Sequence, residues 1–255
     1  MKLADTHTHL YLPEFDADRD EMINRASASG VVKFLMPNID LGSVKGMMEA
    51  AERYKDICLP MIGLHPTSVK DDFREQLGEL EMIAGSHDFI AVGEIGIDLY
   101  WDKTHLKEQL ESMKRQVSWA VENKVPVVVH SREAMNEVFS VLNGFSGSGI
   151  SGVLHAFSGT MKDAEKAAEM NFMLGIGGPV TFKNSLLPAI IKNVGISHVI
   201  LETDSPYLAP VPYRGRRNES SYLTIINKKV SEIFGISEEE SAEIIFENSC
   251  RLFNL

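Results

Sequence analysis

The chain has 255 residues, 44% hydrophobic and 24% charged, with a net charge of −11 at neutral pH. This composition fits a soluble globular protein with room for a sizeable core, and no window approaches the roughly 18 apolar residues of a membrane span. The acidic balance argues against a broad basic surface for nonspecific nucleic-acid binding and leaves open a small cationic spot inside a cleft.

Cys58 and Cys250 lie far apart in no spaced motif. A disulfide framework or a thiolate zinc site is therefore not expected, and both read as buried thiols. No Pro/Ser-rich linker or low-complexity stretch divides the sequence, so residues 1–255 are expected to form one domain. The N-terminus lacks a basic flank followed by an apolar run, which makes the cytoplasm the expected compartment.

Short β-rich runs alternate with segments of helical periodicity. In chain order the strands are predicted at Lys2 to His9, Val31 to Pro37, Leu59 to Leu64, Ile90 to Ile97, Val125 to His130, Gly152 to His155, Phe172 to Ile176 and Val199 to Glu202. Amphipathic stretches such as Arg19 to Ser29 and Leu106 to Asn123 lie between them, with boundary signals at Asp40, Asp163, Gly30 and Gly195. A tail from Ser220 to Leu255 adds one or two helices. About eight such units in this length predict an α/β fold, a (β/α)8 TIM barrel. A doubly wound sheet would place a Gly-rich phosphate loop after strand one, where this chain has histidines.

In such a barrel the active site forms at the C-terminal ends of the strands. The apolar runs end in His7 and His9, His65, Glu94 and Asp98, His130, His155 and Asp204. His87, His105 and His198 fall in segments that read as surface helix or loop. Alternation along a strand puts Asp5, His7 and His9 on one face, so both imidazoles can reach one ion. A lone histidine at a strand end is ordinarily a structural residue, but imidazoles and carboxylates gathered in a barrel mouth are costly without a cation. The donors suit Zn, Mn, Fe or Co, with Mg where carboxylates dominate. Six candidate ligands exceed the three that one catalytic zinc usually takes, which fits two ions.

Other stretches keep two readings. "HPTSV" (His65 to Val69) is a helix start with a structural histidine or a substrate contact. "ETDSP" (Glu202 to Pro206) is a turn or a site carboxylate, Glu202 sharing the face of Asp204 to support it. "PYRGRRN" (Pro212 to Asn218) is a solvated loop, or its Arg214, Arg216 and Arg217 grip phosphate oxygens. Tyr100, Trp101 and Phe157 follow metal candidates and stack on a base or pack a loop.

The ordered set "DTHTHL", "GLHP", "GEIGID", "VVVHSR", "LHAFSG", "ETDSPYLAP" and "YRGRRNE" resembles the TatD family of metal-dependent deoxyribonucleases, within the amidohydrolase-like hydrolases. The resemblance runs from end to end. It implies a TIM barrel with two divalent ions (Zn, Mg, Mn or similar) that hydrolyses DNA phosphodiesters, with single-stranded DNA as substrate, exonuclease action and a monomeric protein as further expectations. It further implies that His7 and His9 hold one ion, Glu94 bridges both, and His130 and His155 hold the second. Asp204 would bind the first ion and steer the attacking water, while His65, Arg214, Arg216 and Arg217 would contact phosphate. Two positions depart from the family pattern: Ala156 stands where Cys is expected and Ser220 where Pro is expected.

Asp5, one step deeper on the histidine face, is a candidate to hold an imidazole tautomer. Two rival functions remain at this level. The same centre can activate water against a small amide, lactone or phosphoester, and a non-catalytic metal-binding partner is the alternative from another class.

Overall fold

The computed structural model describes residues 1–101 and 103–255. Eight strands follow one another in chain order: β1 Leu3–Asp5, β2 Val31–Pro37, β3 Cys58–Met61, β4 Val92–Asp98, β5 Val127–Arg132, β6 Gly152–Leu154, β7 Phe172–Ile176 and β8 Val199–Leu201. They pair in parallel as two arcs, β1–β3 and β4–β8. Short bridges close the arcs into a barrel. Gly93 N–H donates to the Ile62 carbonyl at 2.8 Å, and Thr6 N–H donates to the Leu201 carbonyl at 3.1 Å. The predicted TIM barrel is the observed architecture.

The helices are α1 Arg19–Ala28, α2 Leu41–Arg53, α3 Phe73–Ala84, α4 Leu106–Asn123, α5 Met135–Asn143, α6 Met161–Glu169, α7 Leu187–Val194, α8 Leu223–Phe234 and α9 Glu238–Phe253. Capping chemistry fixes several starts. Asp40 and Ser43 form a reciprocal box at α2, and Thr160 and Asp163 form one at α6. None of the described helices is long and apolar enough to cross a membrane.

Alternation along the strands builds two apolar layers. Phe34, Val127, Val129, Leu154, Leu174 and Leu201 join the core beneath the helices, whereas their neighbours Leu35, Val128, Val153, Met173 and Ile200 form a separate buried cluster within the barrel. Phe253 of α9 packs against that inner cluster. Two residues beyond an inner position, side chains again point inward at the mouth. Val128 leads to His130, Val153 to His155 and Ile200 to Glu202.

Strand ends differ from the predicted ones at this mouth. β1 stops at Asp5, β3 at Met61, β6 at Leu154 and β8 at Leu201, while β4 and β5 run on to Asp98 and Arg132. The strands splay there, so single main-chain bonds outlast the ladder: His155 N–H still reaches the Val129 carbonyl at 2.9 Å, and Glu202 N–H reaches Ile176 at 3.2 Å. At Gly96 (φ +140°) a Cβ would lie 2.0 Å from the His130 carbonyl, so only glycine lets β4 and β5 approach this closely. Cys58 is buried, which pushes its thiol up to about 12, but Cys250 is only partly covered, unlike the buried thiol expected.

Candidate active site

His7, His9, Glu94, His130, His155 and Asp204, from β1, β4, β5, β6 and β8 or just beyond them, meet at the barrel mouth. All but His7, which is fully buried, border a cavity of about 890 Å³. Glu94 lies at the centre. Its Oε2 is 3.2 Å from His7 Nε2 and 3.9 Å from His9 Nε2. Its Oε1 is 2.9 Å from His130 Nδ1, 3.4 Å from His65 Nε2 and 3.9 Å from His155 Nε2. Asp204 Oδ1 is 3.5 Å from His9 Nε2 and 3.8 Å from both His7 and His155 Nε2.

Surrounding groups set the tautomers. The Tyr11 hydroxyl donates to the Pro37 carbonyl at 2.6 Å, so at 3.1 Å from His9 Nδ1 it is the acceptor, and the His9 Nε2 lone pair is left for the site. Glu202 Oε1 lies 3.0 Å from His155 Nδ1, a charge contact rather than a hydrogen bond, since this nitrogen has no hydrogen-bond partner among the described residues. His65 is the opposite case to His9. Its Nδ1 accepts the Thr67 N–H at 3.2 Å, so its proton is on Nε2, facing Glu94. A proton donor there suits contact with an anionic oxygen better than metal ligation.

The donor set fits a divalent cation. His7 and His9 bring their Nε2 atoms to 3.3 Å of each other, and the His7 and His155 rings stack at 3.4 Å. His7 Nδ1 is buried with no partner among the described residues. Three ligand triads can be formed: His7, His155 and Asp204; His7, His9 and Glu94; and His65, Glu94 and His130. The structure thus brings all six expected ligands together, but it groups His130 with His65, and His155 with His7 and Asp204, where the resemblance joins His130 to His155.

Residues 4–254 match the family described as TatD related DNase. The chain belongs to the TatD family. It is 35% identical over 254 residues to the Bacillus subtilis (strain 168) metal-dependent hydrolase YabD, across 99% of each chain. It is 29% identical over 263 residues to human deoxyribonuclease TATDN3, across 98% of this chain and 94% of that one. The crystal structure of the TatD homologue YjjV from Escherichia coli K12 superposes with a TM-score of 0.89 at 26% identity, across 99% and 98% of the two chains. This TatD protein is accordingly a metal-dependent hydrolase.

The electrostatics of the TatD site follow from burial and crowding. Burial alone would raise the Glu94 and Asp204 carboxyls, but the surrounding histidines outweigh it and hold both below their ordinary values. Burial, reinforced by His155, lowers His7 and keeps it neutral. Burial would lower His155 too, yet the Glu202 and Glu94 carboxylates overcome it and lift this imidazole to about 10.

Two expectations need correction. Asp5 holds no imidazole: it accepts the Thr203 N–H at 2.9 Å and the Thr203 hydroxyl at 2.6 Å, and so anchors the segment that carries Asp204. Burial pushes its carboxyl up to about 7. Arg214, Arg216 and Arg217 are not among the residues lining the cavity. Arg217 forms a two-pronged pair with Asp18 at 2.6 and 2.7 Å, and Arg214 lies over the Phe182 ring at 4.5 Å. Counting charges after strand eight could not reveal that Asp18, at the start of α1, lies opposite. Ser220 is fully buried behind this loop, so its departure from the family pattern leaves the segment packed.

Sequence reasoning named Asp98 only as a strand-end acid, and it missed Tyr11. Asp98 Oδ2 is 2.9 Å from His130 Nε2. Tyr11 continues the alternation 5, 7, 9, 11, and that signal was available.

Proposed function

We propose that this TatD protein is a deoxyribonuclease that shortens single-stranded DNA from one end, using two divalent ions such as zinc, magnesium or manganese. The observation that carries the reading is Glu94, whose two oxygens face different ligand histidines: His7 and His9 at Oε2, His130 and the more distant His155 at Oε1. A carboxylate so placed suits two cations better than one. The deoxyribonuclease named among its relatives supports a phosphodiester substrate.

Divalent ions bound there would acidify water and neutralise charge on the phosphoryl oxygens. The protein supplies the rest. His7, His9, Glu94, His130, His155 and Asp204 would hold the ions. Asp204, kept ionised by the imidazoles around it, is placed to orient the attacking water and accept its proton. His65 Nε2–H is placed to donate to a phosphate oxygen.

The test is metal analysis of purified protein, followed by activity on end-labelled single-stranded DNA with each ion restored after chelation. Asp204→Asn should retain metal and lose about 10²- to 10⁴-fold in turnover. Full nuclease activity in that variant, or hydrolysis of small amides or lactones with no action on DNA, would overturn the proposal.

A further inference from the structure

One rim of the cavity carries a cluster that the metal chemistry does not use. Trp101 lines the cavity and is 68% exposed; its neighbour Tyr100 is 51% exposed. Their rings meet edge to face at 5.0 Å. The Arg132 guanidinium sits 3.9 Å above the centre of Tyr100 and 5.5 Å from that of Trp101, and no carboxylate among the described residues pairs with it. An indole this exposed beside a buried catalytic cleft costs solubility and adds nothing to the core.

The cluster is held in register with the site. Asp98 is buried, and its two oxygens do different work. Oδ1 accepts the Tyr100 and Trp101 N–H groups at 2.9 and 3.1 Å, fixing the turn that presents both rings. Oδ2 lies 2.9 Å from His130 Nε2. β4 and β5 pair at Asp98 and Arg132, and Leu99 N–H donates to the Arg132 carbonyl at 2.9 Å, which brings the guanidinium beside the aromatic pair.

Charge selects the direction in which a polyanion leaves the site. A second cavity of about 660 Å³ shares Ser131, Ser158 and Leu186 with the first, and Glu133, Glu137 and Asp163 border it. Of these, among the described residues, only Glu133 forms an ion pair, with Lys103 at 3.8 Å. That side repels phosphates, whereas the Trp101 rim offers a π-face and a guanidinium.

Resting on the nuclease reading above, we infer that Trp101 is a stacking platform for a nucleobase of single-stranded DNA flanking the scissile phosphate, and that Arg132 grips the phosphate of that nucleotide. The platform takes any base, because stacking uses the π-face and reads no hydrogen-bonding edge.

Steady-state kinetics of the metal-restored enzyme on a single-stranded oligodeoxyadenylate test this, alongside the same oligonucleotide with abasic tetrahydrofuran units at its end. Trp101→Ala should raise KM for the intact strand roughly tenfold while kcat falls little, and Trp101→Phe should restore most of the loss. Wild type should bind the abasic strand as weakly as Trp101→Ala binds either one. The alanine variant should not distinguish the two strands. A thermal melt of each variant checks the fold. If wild type cleaves DNA and Trp101→Ala keeps both its KM and its preference for bases, the platform is wrong and the nuclease reading stands. If wild type hydrolyses bis(p-nitrophenyl) phosphate but neither binds nor cleaves the oligonucleotides, the nuclease reading and the platform fall together.

Discussion

Glu202→Gln removes the charge that faces His155 and keeps an oxygen for the Ala156 N–H, which Glu202 Oε1 accepts at 2.6 Å. In the metal-free protein the His155 imidazole, ordinarily near 6.5, holds its proton up to about 10. Each tenfold gain in proton affinity is worth about 1.4 kcal/mol, so this proton contributes at most about 5 kcal/mol to stability. The sign follows from counting protons. The folded state keeps this one where the unfolded state has lost it, so the contribution is complete below about pH 6.5 and disappears as pH rises toward 10. A divalent ion needs the Nε2 lone pair and competes for the same position, so metal affinity should rise over the same range. Urea unfolding of chelated protein between about pH 6.5 and about pH 9.5 measures the effect. Wild type should lose several kcal/mol of stability across that window, and Glu202→Gln should flatten the slope whatever its absolute stability. An equal slope in the two proteins would refute the assignment of this proton to the His155–Glu202 pair.

Two further substitutions probe the surroundings. A Cβ at Gly175 would lie 2.4 Å from Glu202 Oε2, so Gly175→Ala must displace the carboxylate that faces His155. Metal affinity, measured by competition with a chromogenic chelator, should fall about 10- to 100-fold, and an unaltered affinity would show that Glu202 does not hold the imidazole. Arg217→Ala deletes a partly exposed pair with Asp18. It should cost about 1 kcal/mol or less in a denaturant titration and leave KM for DNA where it was, whereas a marked rise in KM would return the arginine to the substrate.

The barrel was legible because each strand announces itself locally. β2 Val31–Pro37, β7 Phe172–Ile176 and α4 Leu106–Asn123 fall where periodicity places them. The metal candidates were legible for a related reason, since a histidine or acid that ends an apolar run in a barrel has few other uses. Residues that act through a partner were not. Asp5 meets Thr203, and Arg217 meets Asp18, each about 200 positions away in the chain. Such pairings depend on where the barrel closes and on which rotamer reaches across, and neither leaves a mark in local composition. The strand ends blurred for a similar reason: splaying at the mouth removes ladder bonds without changing the apolar pattern that predicts a strand.

The seam between β8 and β1 has a consequence for the making of the protein. His7 and His9 leave the ribosome early, but Asp204, and the Leu201 and Ser205 partners of Thr6 and Thr8 that bring it beside them, come from the last quarter of the chain. A nascent polypeptide that stops short of β8 therefore carries five of the six candidate ligands without Asp204 to complete them. The candidate metal centre is complete only once the final strand is in place, so its assembly waits on the closing of the barrel.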